Sequence, residues 1–305
     1  MSEEKVNISH LGTESRNSKT MELDLLSTEE ILQIMNEEDQ RVIETIHDAL
    51  PQIRQAVEAV ICALNRGGRL IYAGAGTSGR IGIMDAVECV PTFSTTEEVQ
   101  GIIAGGNGAF VKAVEGAEDS KELAHSDLEK LKLTKKDVVC AIAASGRTPY
   151  CIGALEYAGT IGASTISISC NKNAKLSQYA EVAIEADAGP EILTGSTRLK
   201  AGTCQKIICN MISTASMVGI GKVYKNLMVD MRATNLKLVE RAKGIVMQST
   251  GCDYETAQTV LEKTQYSTKE AIVMILTGSS REQAAELLDQ NKGFVRKCLN
   301  GLEKS

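Results

Sequence analysis

Five short apolar runs alternate with helix-like stretches between about residue 69 and about residue 221. Continuous apolar strands that alternate with helices are typical of a parallel sheet covered on both faces. In such a doubly wound α/β fold, ligands bind at the carboxyl ends of the strands. The pattern predicts strands at 69–73, 99–104, 137–143, 164–169 and 181–185, with helices near 78–88, 108–131, 149–161, 173–179 and 199–221.

Helices are predicted on both sides of this α/β region. Residues 1 to about 20 are polar and indicate an extended arm, and Ser27-Thr-Glu-Glu30 is a capping box that begins a helix. A second helix over about 38–49 is followed by a third, which restarts at Pro51 and stops before Gly67-Gly68. Beyond about 222, the pattern predicts a long helix at 227–248 and short helices at 253–263, 267–277, 281–290 and 293–301.

These patterns divide the chain into three parts. They are an N-terminal arm with helices (1–57), an α/β domain (58–221), and a long helix with a small all-helical domain (222–305). A chain of 305 residues, 43% of them hydrophobic, has enough apolar side chains to form such a core. Aromatic residues make up only 3% of the chain and Trp is absent, so we expect an aliphatic core.

Charge and cysteine content exclude several classes of protein. The net charge is −6 without a basic stripe, which argues against nucleic acid as a partner. No apolar run approaches the roughly 18 residues of a membrane span and no apolar signal core is present, so we expect a cytoplasmic protein without a membrane segment. Nine scattered cysteines without a CxxC pair, and three distant histidines, indicate reduced buried thiols and no metal site.

The clearest chemical signal follows the first predicted strand. The run Leu70-Ile-Tyr-Ala-Gly-Ala-Gly-Thr-Ser-Gly-Arg80 changes from strand-forming residues to a glycine turn, and a helix follows. In this arrangement the free amides of the first helical turn and the positive end of the helix dipole bind phosphate. The candidate phosphate-binding residues in this turn are Gly76, Thr77, Ser78 and Gly79.

The glycines Gly74, Gly76 and Gly79 also match the GxGxxG pattern of dinucleotide-binding folds, which is a weak indication alone. Such folds place an acidic residue at the end of the second strand, where it holds the ribose. Here the second strand ends in Gly105-Gly106-Asn107 without a carboxylate. A phosphomonoester such as a sugar phosphate is therefore favoured over a dinucleotide.

Two further loops share the glycine- and hydroxyl-rich composition of the first. Ala144-Ser-Gly-Arg-Thr-Pro149 follows the third strand, and Leu193-Thr-Gly-Ser-Thr-Arg-Leu-Lys200 precedes the helix at 199–221. An ordinary helix N-cap explains any one of these loops equally well. Three such loops at one sheet edge instead indicate a pocket for a sugar phosphate. The candidates here are Ser145, Gly146, Arg147, Thr148, Ser196, Thr197 and Lys200.

Carboxylates follow the first two strands. Glu88 ends the first helix beside Val87 and Phe93, and a carboxylate in apolar surroundings is costly unless it is paired or functional. The run Ala113-Val-Glu-Gly-Ala-Glu-Asp119 follows the second strand, and helix capping accounts for only one of its three acids. Two carboxyl groups near a phosphosugar indicate general acid–base chemistry. One would remove a carbon-bound proton next to a carbonyl, and the other would protonate an oxygen.

Taken together, the motifs resemble the N-acetylmuramic acid 6-phosphate etherase family over essentially the whole chain. Two small departures occur: Val90-Pro91 stands where the family has Pro-Pro, and the loop that follows is one residue short. The resemblance is carried by residues 11–17, 74–80, 85–93, 113–119, 143–150, 194–203 and 221–230.

The resemblance implies a sugar isomerase (SIS) domain at about 58–221, a C-terminal domain similar to a ubiquitin-associated fold, and a homodimer with active sites near the subunit interface. It implies removal of the lactyl ether from N-acetylmuramate 6-phosphate in cell-wall sugar recycling, without metal or cofactor. The products would be N-acetylglucosamine 6-phosphate and D-lactate. Glu88 and Glu118 match the catalytic glutamates of the family, and Glu115 is interpreted as a structural neighbour of Glu118. The assignment of base and acid stays open, although the family convention makes the first glutamate the proton donor.

Two other functions are compatible with the same loops. An aldose–ketose phosphosugar isomerase also needs a carboxylate base near C2, and only release of lactate separates it from the etherase. A regulatory protein that senses a sugar phosphate, similar to the animal glucokinase regulators, needs the hydroxyl-rich loops but not both glutamates. The presence of Glu88 and Glu118, and of a single SIS unit, disfavours the regulator.

Overall fold

The computed structural model describes residues 11–231 and 235–299. The chain forms two compact units. The first unit contains the residues up to Ala86 together with Glu98–Ser213, and the second contains Val87–Glu97 and the residues from Thr214 onward. Within the described ranges, no helix is both long enough and apolar enough to cross a bilayer.

The first unit is built on five strands: β1 (Leu70–Gly74), β2 (Val99–Ile103), β3 (Val138–Ala143), β4 (Ser164–Ser169) and β5 (Val182–Glu185). They form one parallel sheet with the order β2-β1-β3-β4-β5. Every residue of β1 and β3 is buried, as expected for central strands covered on both faces. All five predicted strands are confirmed, with ends that differ by at most one residue.

A single long helix, α1 (Thr28–Asn65), replaces the three helices predicted between residues 27 and 64. The capping box of Ser27 and Glu30 begins it, as predicted. Pro51 does not interrupt the helix, although a proline in a helix interior costs about 3 kcal/mol. Buried side chains continue on both sides of the proline, from Val42 to Ala63, so packing on the first unit outweighs that cost.

Helices cover both faces of the sheet. They include α2 (Gly76–Phe93), the short α3 (Gly108–Val111), α4 (Lys121–Lys130), α5 (Pro149–Ile161) and α6 (Lys200–Gly219). Ile71 and Ala73 of β1 pack in an apolar cluster with side chains of α4 and α5. The intervening Tyr72 faces the other way, and its hydroxyl group donates a hydrogen bond of 3.0 Å to Asp85 of α2. The doubly wound sheet is therefore confirmed.

The segment predicted as one helix over 108–131 is broken in two places. Gly116 has a positive φ of 75° and precedes a single 3₁₀ turn at Ala117–Asp119. Ser120 then caps α4, because its hydroxyl oxygen accepts a hydrogen bond from the amide of Leu123. A left-handed glycine and a serine cap are incompatible with a continuous helix, and the prediction was wrong in this respect.

The described N-terminal segment is packed within the first unit, so the extended arm predicted for residues 1–20 is wrong from residue 11 onward. Leu11, Thr13, Asn17 and Thr20 are buried, and the chain forms short 3₁₀ turns at Gly12–Glu14, Ser18–Thr20 and Leu23–Leu25. The first ten residues of the predicted arm lie outside the described ranges. Thr13, Asn17 and Thr20 are buried because they form hydrogen bonds with Asn171, with Glu38 of α1, and with carbonyl oxygens in the loop that precedes α6.

From Leu236 to Cys298 the second unit consists of helices joined by short turns, and no strand occurs in this range, as predicted. It contains α7 (Leu236–Thr250), α8 (Tyr254–Lys263), α9 (Thr268–Thr277), α10 (Arg281–Gln290) and α11 (Val295–Cys298). Leu276, Ala284, Leu287 and Leu288 all contribute to one apolar core, which confirms the predicted small helical core. The long helix predicted from residue 227 begins only at Leu236, after the Asn235 cap, because Tyr224 and Leu227 pair across a tight turn.

Candidate active site

The turn after β1 brings the outer glycines of the sequence motif into contact. A Cβ on Gly74 would lie 2.6 Å from the backbone nitrogen of Gly79. A Cβ on Gly79 would lie 2.8 Å from the carbonyl oxygen of Gly74. Both glycines are therefore required for the close packing of β1 against the first turn of α2. This packing accounts for the GxGxxG pattern without a dinucleotide.

The two hydroxyl groups of this turn have different environments. Ser78 is buried, and its hydroxyl donates a hydrogen bond of 3.0 Å to the side-chain oxygen of Gln205 in α6. Thr77 is partly exposed, and its hydroxyl has no hydrogen-bond partner within residues 11–231 and 235–299. Thr77 is thus placed to contact a ligand, whereas Ser78 holds the turn against α6. Gly76 between them and the strand has a positive φ of 54°.

The turn after β3 leads into an uncapped helix. Thr148 occupies the N-cap position of α5, but its side chain makes no capping hydrogen bond, and Pro149 forms the first turn. The hydroxyl oxygen of Ser145 accepts a hydrogen bond of 3.3 Å from the amide of Arg147. Gly146 has a φ of 66°, and a Cβ there would lie 2.4 Å from the Cβ of Ala174. Capping therefore does not explain the hydroxyl of Thr148, and the amides of α5 remain for a ligand.

A cavity of about 560 Å³ lies at the carboxyl ends of β3, β4 and β5. Ser145 and Arg147 form one wall, and the loop after β4 forms another through Asn171, Lys172 and Lys175. Leu11 and Gly12 of the N-terminal segment complete the lining together with Asp187. Two lysines and an arginine give this cavity more cationic than anionic side chains, although the net charge of the chain is negative.

The third loop does not offer a free helix start. The carboxylate of Glu191 accepts hydrogen bonds of 3.0 and 2.9 Å from the amides of Lys200 and Ala201, at the beginning of α6. Glu191 is only 1% exposed, and this burial raises its pKa against the effect of the two amides. An internal carboxylate thus occupies the position where the sequence predicted a phosphate. Ser196 and Thr197 remain partly exposed, and their hydroxyls have no partner among the described residues.

Lys200 is also engaged within the protein. Its Nζ lies 2.6 Å from Oε2 of Glu38 in α1, and both side chains are at most 2% exposed. Lys19 binds the other oxygen of Glu38 at 3.0 Å. Burial opposes ionisation of Glu38, but the interactions with Lys200 and Lys19 outweigh it and lower its pKa to about 2. The ammonium group of Lys200 is not available to a phosphate while this pair holds.

The candidate catalytic residue Glu118 lies close to the turn after β3. It is exposed, in the 3₁₀ turn at Ala117–Asp119, and this turn packs against α5. Burial raises the pKa of the Cys151 thiol in α5 to about 12, and the negative charge of Glu118 adds to this increase. Glu118 therefore lies near the first turns of α5, on the side of the sheet edge where the free hydroxyls lie. Glu115 is exposed two residues before this turn.

Glu88 belongs to the second unit and is exposed near the end of α2. The expected apolar enclosure is wrong, because Val87 and Val90 are themselves 59% and 38% exposed. Cys89 and Phe93 are the buried members of this stretch. Exposure leaves the carboxylate accessible to a ligand, and its pairing with Glu118 stays a prediction.

Three residues that the sequence analysis missed shape the site. Glu38, Asn171 and Glu191 are all at most 2% exposed and hydrogen bonded. Glu38 had a detectable signal, since it lies four residues before Val42 on the buried stripe of α1. Asn171 and Glu191 had none, because their partners are 158 and 9 residues away in the chain. No group of three metal-binding side chains occurs within the described ranges.

Family models match three parts of the chain. Residues 52–159 match the N-terminal SIS domain of glucokinase regulatory protein, and residues 112–215 match the SIS domain. Residues 225–272 match the C-terminal lid domain of glucokinase regulatory protein. Among solved structures, a phosphoheptose isomerase from Francisella tularensis has a TM-score of 0.46 and 18% identity, over 62% of this chain and all of that chain.

Curated relatives match almost the entire length. N-acetylmuramic acid 6-phosphate etherase 2 from Enterococcus faecalis is 58% identical over 296 residues, which cover 97% of this chain and 100% of the relative. N-acetylmuramic acid 6-phosphate etherase from Bacillus cereus is 58% identical over 293 residues, with 96% and 100% coverage. At this identity over the full length, the chain belongs to the N-acetylmuramic acid 6-phosphate etherase family.

Proposed function

We propose that the protein cleaves the D-lactyl ether of N-acetylmuramic acid 6-phosphate, giving N-acetylglucosamine 6-phosphate and D-lactate. The observation that carries this proposal is the 58% identity to etherases over 97% of the chain. The uncapped start of α5, with Ser145 and Thr148 beside it, supports the phosphosugar part of the proposal. The enzyme would act as a carbon–oxygen lyase.

The 6-phosphate would bind at the start of α5. Backbone amides there point at the anion, and the hydroxyls of Ser145, Thr148 and Thr77 can donate to it. The α6 start is taken by Glu191, so the third loop contributes the hydroxyls of Ser196 and Thr197 rather than a helix end. These hydroxyls would then meet the sugar part of the substrate.

The proposed reaction is an elimination followed by hydration. Ring opening exposes the C1 aldehyde, which acidifies the proton on C2. One glutamate takes this proton, the C3–O bond breaks, and the other glutamate protonates the departing lactate oxygen. Water then adds to C3 of the unsaturated aldehyde, and the proton taken from C2 is returned. Glu88 and Glu118 are assigned these roles without a choice of base, and neither transfer requires a metal or a cofactor.

The decisive experiment is release of D-lactate from N-acetylmuramic acid 6-phosphate by the purified protein, with a chelator present. The variants Glu88→Gln and Glu118→Gln should each lose at least about a hundredfold in kcat, the lower end for a general acid or base. Glu115→Gln is the matched control, because it removes an exposed carboxylate three residues from Glu118 and should retain activity. Wild-type protein without lactate release would overturn the proposal.

The regulatory alternative is favoured by one observation, the match of residues 52–159 and 225–272 to domains of glucokinase regulatory protein. Such a protein would bind a sugar phosphate without converting it. Tight binding of N-acetylmuramic acid 6-phosphate with no lactate released would support the regulator. An aldose–ketose isomerase would instead interconvert sugar phosphates, again without lactate.

We also propose that the protein is a homodimer. Leu32, Ile43 and Leu50 of α1 are 60%, 64% and 41% exposed. They lie on one face of the helix, because the steps from 32 to 43 and from 43 to 50 both approximate whole turns. A second copy would cover this apolar face. Light scattering should give the dimer mass for the wild type and the monomer mass for Ile43→Glu, and a monomeric wild type would contradict the proposal.

A cytoplasmic location is part of the same proposal. All nine cysteines are free thiols, and six of them are buried, which suits a reducing compartment. Fractionation of cells should recover lactate-releasing activity with cytoplasmic markers. Recovery with the envelope fraction would contradict this location.

A further inference from the structure

The N-terminal segment is fixed at the carboxyl edge of the sheet on both sides of Glu14. Before it, the amide of Thr13 donates to Oδ1 of Asn171 at 3.3 Å, and the amide group of Asn171 donates back to the Thr13 hydroxyl at 3.0 Å. After it, the side-chain amide of Asn17 donates to Oε2 of Glu38 at 3.0 Å. The position of Glu14 is therefore set by two buried anchors.

The same anchors belong to the site. Asn171 also donates a hydrogen bond of 3.1 Å to the carbonyl oxygen of Ala144, directly before Ser145. Asn17 donates at 3.3 Å to the carbonyl oxygen of Pro190, directly before Glu191. The segment that carries Glu14 thus binds both the turn after β3 and the loop that precedes α6.

The carboxylate of Glu14 lies against the third loop. Its Oε2 is 3.5 Å from the position of a Cβ on Gly195, next to Ser196 and Thr197. Glu14 is partly buried, and within residues 11–231 and 235–299 its side chain makes no hydrogen bond or ion pair. Its neighbours differ in this respect, because the carboxylates of Glu38, Glu185 and Glu191 are all hydrogen bonded.

A partly dehydrated carboxylate without a partner is unfavourable in the free protein. A ligand that donates a hydrogen bond removes this penalty. A carboxylate oxygen accepts hydrogen bonds and does not bind phosphate, so the donor must be a group of the ligand other than its phosphate. The hydroxyl groups of a sugar fit this requirement, and the unpartnered hydroxyls of Ser196 and Thr197 lie beside the same position.

We propose that Glu14 is a substrate-binding residue that accepts a hydrogen bond from a sugar hydroxyl of the bound phosphosugar. This inference rests on the proposed phosphosugar site but not on cleavage of the ether. It gives the N-terminal segment a part in recognition of the sugar, separate from recognition of the phosphate at α5.

Recognition of the sugar and recognition of the phosphate can be measured separately with two probes, a sugar phosphate and inorganic phosphate. We expect Glu14→Ala to weaken binding of N-acetylglucosamine 6-phosphate at least tenfold, as for loss of a hydrogen bond to a charged group. Binding of inorganic phosphate, which has no sugar hydroxyl, should be unchanged or slightly tighter. Glu22→Ala is the control, because it removes an exposed carboxylate from the same segment and should alter neither. Calorimetric titration of the full-length wild type, Glu14→Ala and Glu22→Ala measures the affinity of each protein for both probes.

Unchanged binding of the sugar phosphate by Glu14→Ala would overturn the inference, as would an equal loss for both probes, which would mean damage to the phosphate site. If Glu14→Ala does not fold, Glu14→Gln preserves the shape and should still weaken sugar-phosphate binding selectively. Lactate release tests the proposed reaction independently. A wild type that releases no lactate but shows the selective loss at Glu14 would refute the reaction and support this contact.

Discussion

Replacing Glu38 by glutamine would remove the counter-ion of a buried ammonium group. Lys200 lies 2.6 Å from Glu38, is 2% exposed, and has no other described partner for its Nζ. Loss of one member of a buried ion pair costs about 3–5 kcal/mol. The lowering of the Glu38 pKa from 4.5 to about 2 corresponds to about 3 kcal/mol, so two separate routes give a similar cost.

The opposite replacement should cost less. In Lys200→Met, Glu38 keeps the ion pair with Lys19 at 3.0 Å and the hydrogen bond from Asn17 at 3.0 Å. We therefore expect a loss of about half that of Glu38→Gln. The double variant Glu38→Met with Lys200→Met leaves no buried charge of the pair and should be more stable than Glu38→Gln.

Urea unfolding followed by far-ultraviolet circular dichroism measures these differences. With a slope of about 2 kcal/mol per molar urea, a loss of about 4 kcal/mol moves the midpoint by about 2 M. A smaller shift for Glu38→Gln than for Lys200→Met would refute the reasoning. So would a double variant that is no more stable than Glu38→Gln, because removal of both charges should avoid the cost of an unpaired buried ammonium group.

The acid dependence follows from the same pair. The folded-state pKa of Glu38 is lowered, so its contribution to the free energy of unfolding is fully present above about pH 4.5 and is lost as pH falls towards 2. Wild-type protein should therefore lose stability over this range by about 3 kcal/mol more than Glu38→Gln does. Parallel pH profiles for the two proteins would contradict this assignment.

Three further predictions concern packing, hydroxyl groups and capping. Gly153→Ala should destabilise the protein, because its Cβ would lie 2.7 Å from the backbone of α4. Gly159→Ala in the same helix would place its Cβ in open space and should stabilise the protein by up to about 1 kcal/mol. Equal shifts in Tm for the two variants would contradict this prediction. Thr77→Val should raise KM and leave the free energy of unfolding unchanged. Ser78→Ala should lower the free energy of unfolding by about 1–3 kcal/mol, because it leaves the buried side-chain oxygen of Gln205 without a donor. The reverse pattern would refute the roles assigned to these two hydroxyl groups. Ser27→Ala should cost about 1 kcal/mol through loss of the α1 cap, measured by urea unfolding, with an unchanged midpoint as the contrary result.

The strands were predictable because burial on both faces leaves an uninterrupted apolar signal. Val138–Ala143 and Leu70–Gly74 each appear in the sequence as short apolar runs between polar turns. The predicted helix ends were less accurate, because whether a single proline or glycine ends a helix depends on the packing around it. Pro51 did not break α1, because the buried side chains from Val42 to Ala63 hold both halves, whereas Gly116 did break the helix predicted over 108–131.

The candidate site was predictable as a set of loops but not as a set of roles. The hydroxyls of Thr77 and Ser78 are neighbours in the sequence, yet one is available and the other is bound to Gln205, 127 residues away. Lys200 stands in a loop typical of phosphate binding, and its partner Glu38 is 162 residues distant. Partners that are distant in the sequence leave no local pattern. The sequence therefore indicated which loops form the candidate site, but not which of their side chains are free to contact a ligand.

The carboxylate of Glu191 makes the starts of α5 and α6 unequal as sites for an anion. With two equivalent helix starts facing one pocket, a phosphorylated sugar would enter either way round, and one of the two orientations would put its reacting carbons at the wrong end. Because the carboxylate of Glu191 occupies the start of α6, the phosphate site proposed at the start of α5 has no counterpart at α6. With the phosphate at its proposed site, Glu191 would therefore set the orientation of the substrate without contacting it.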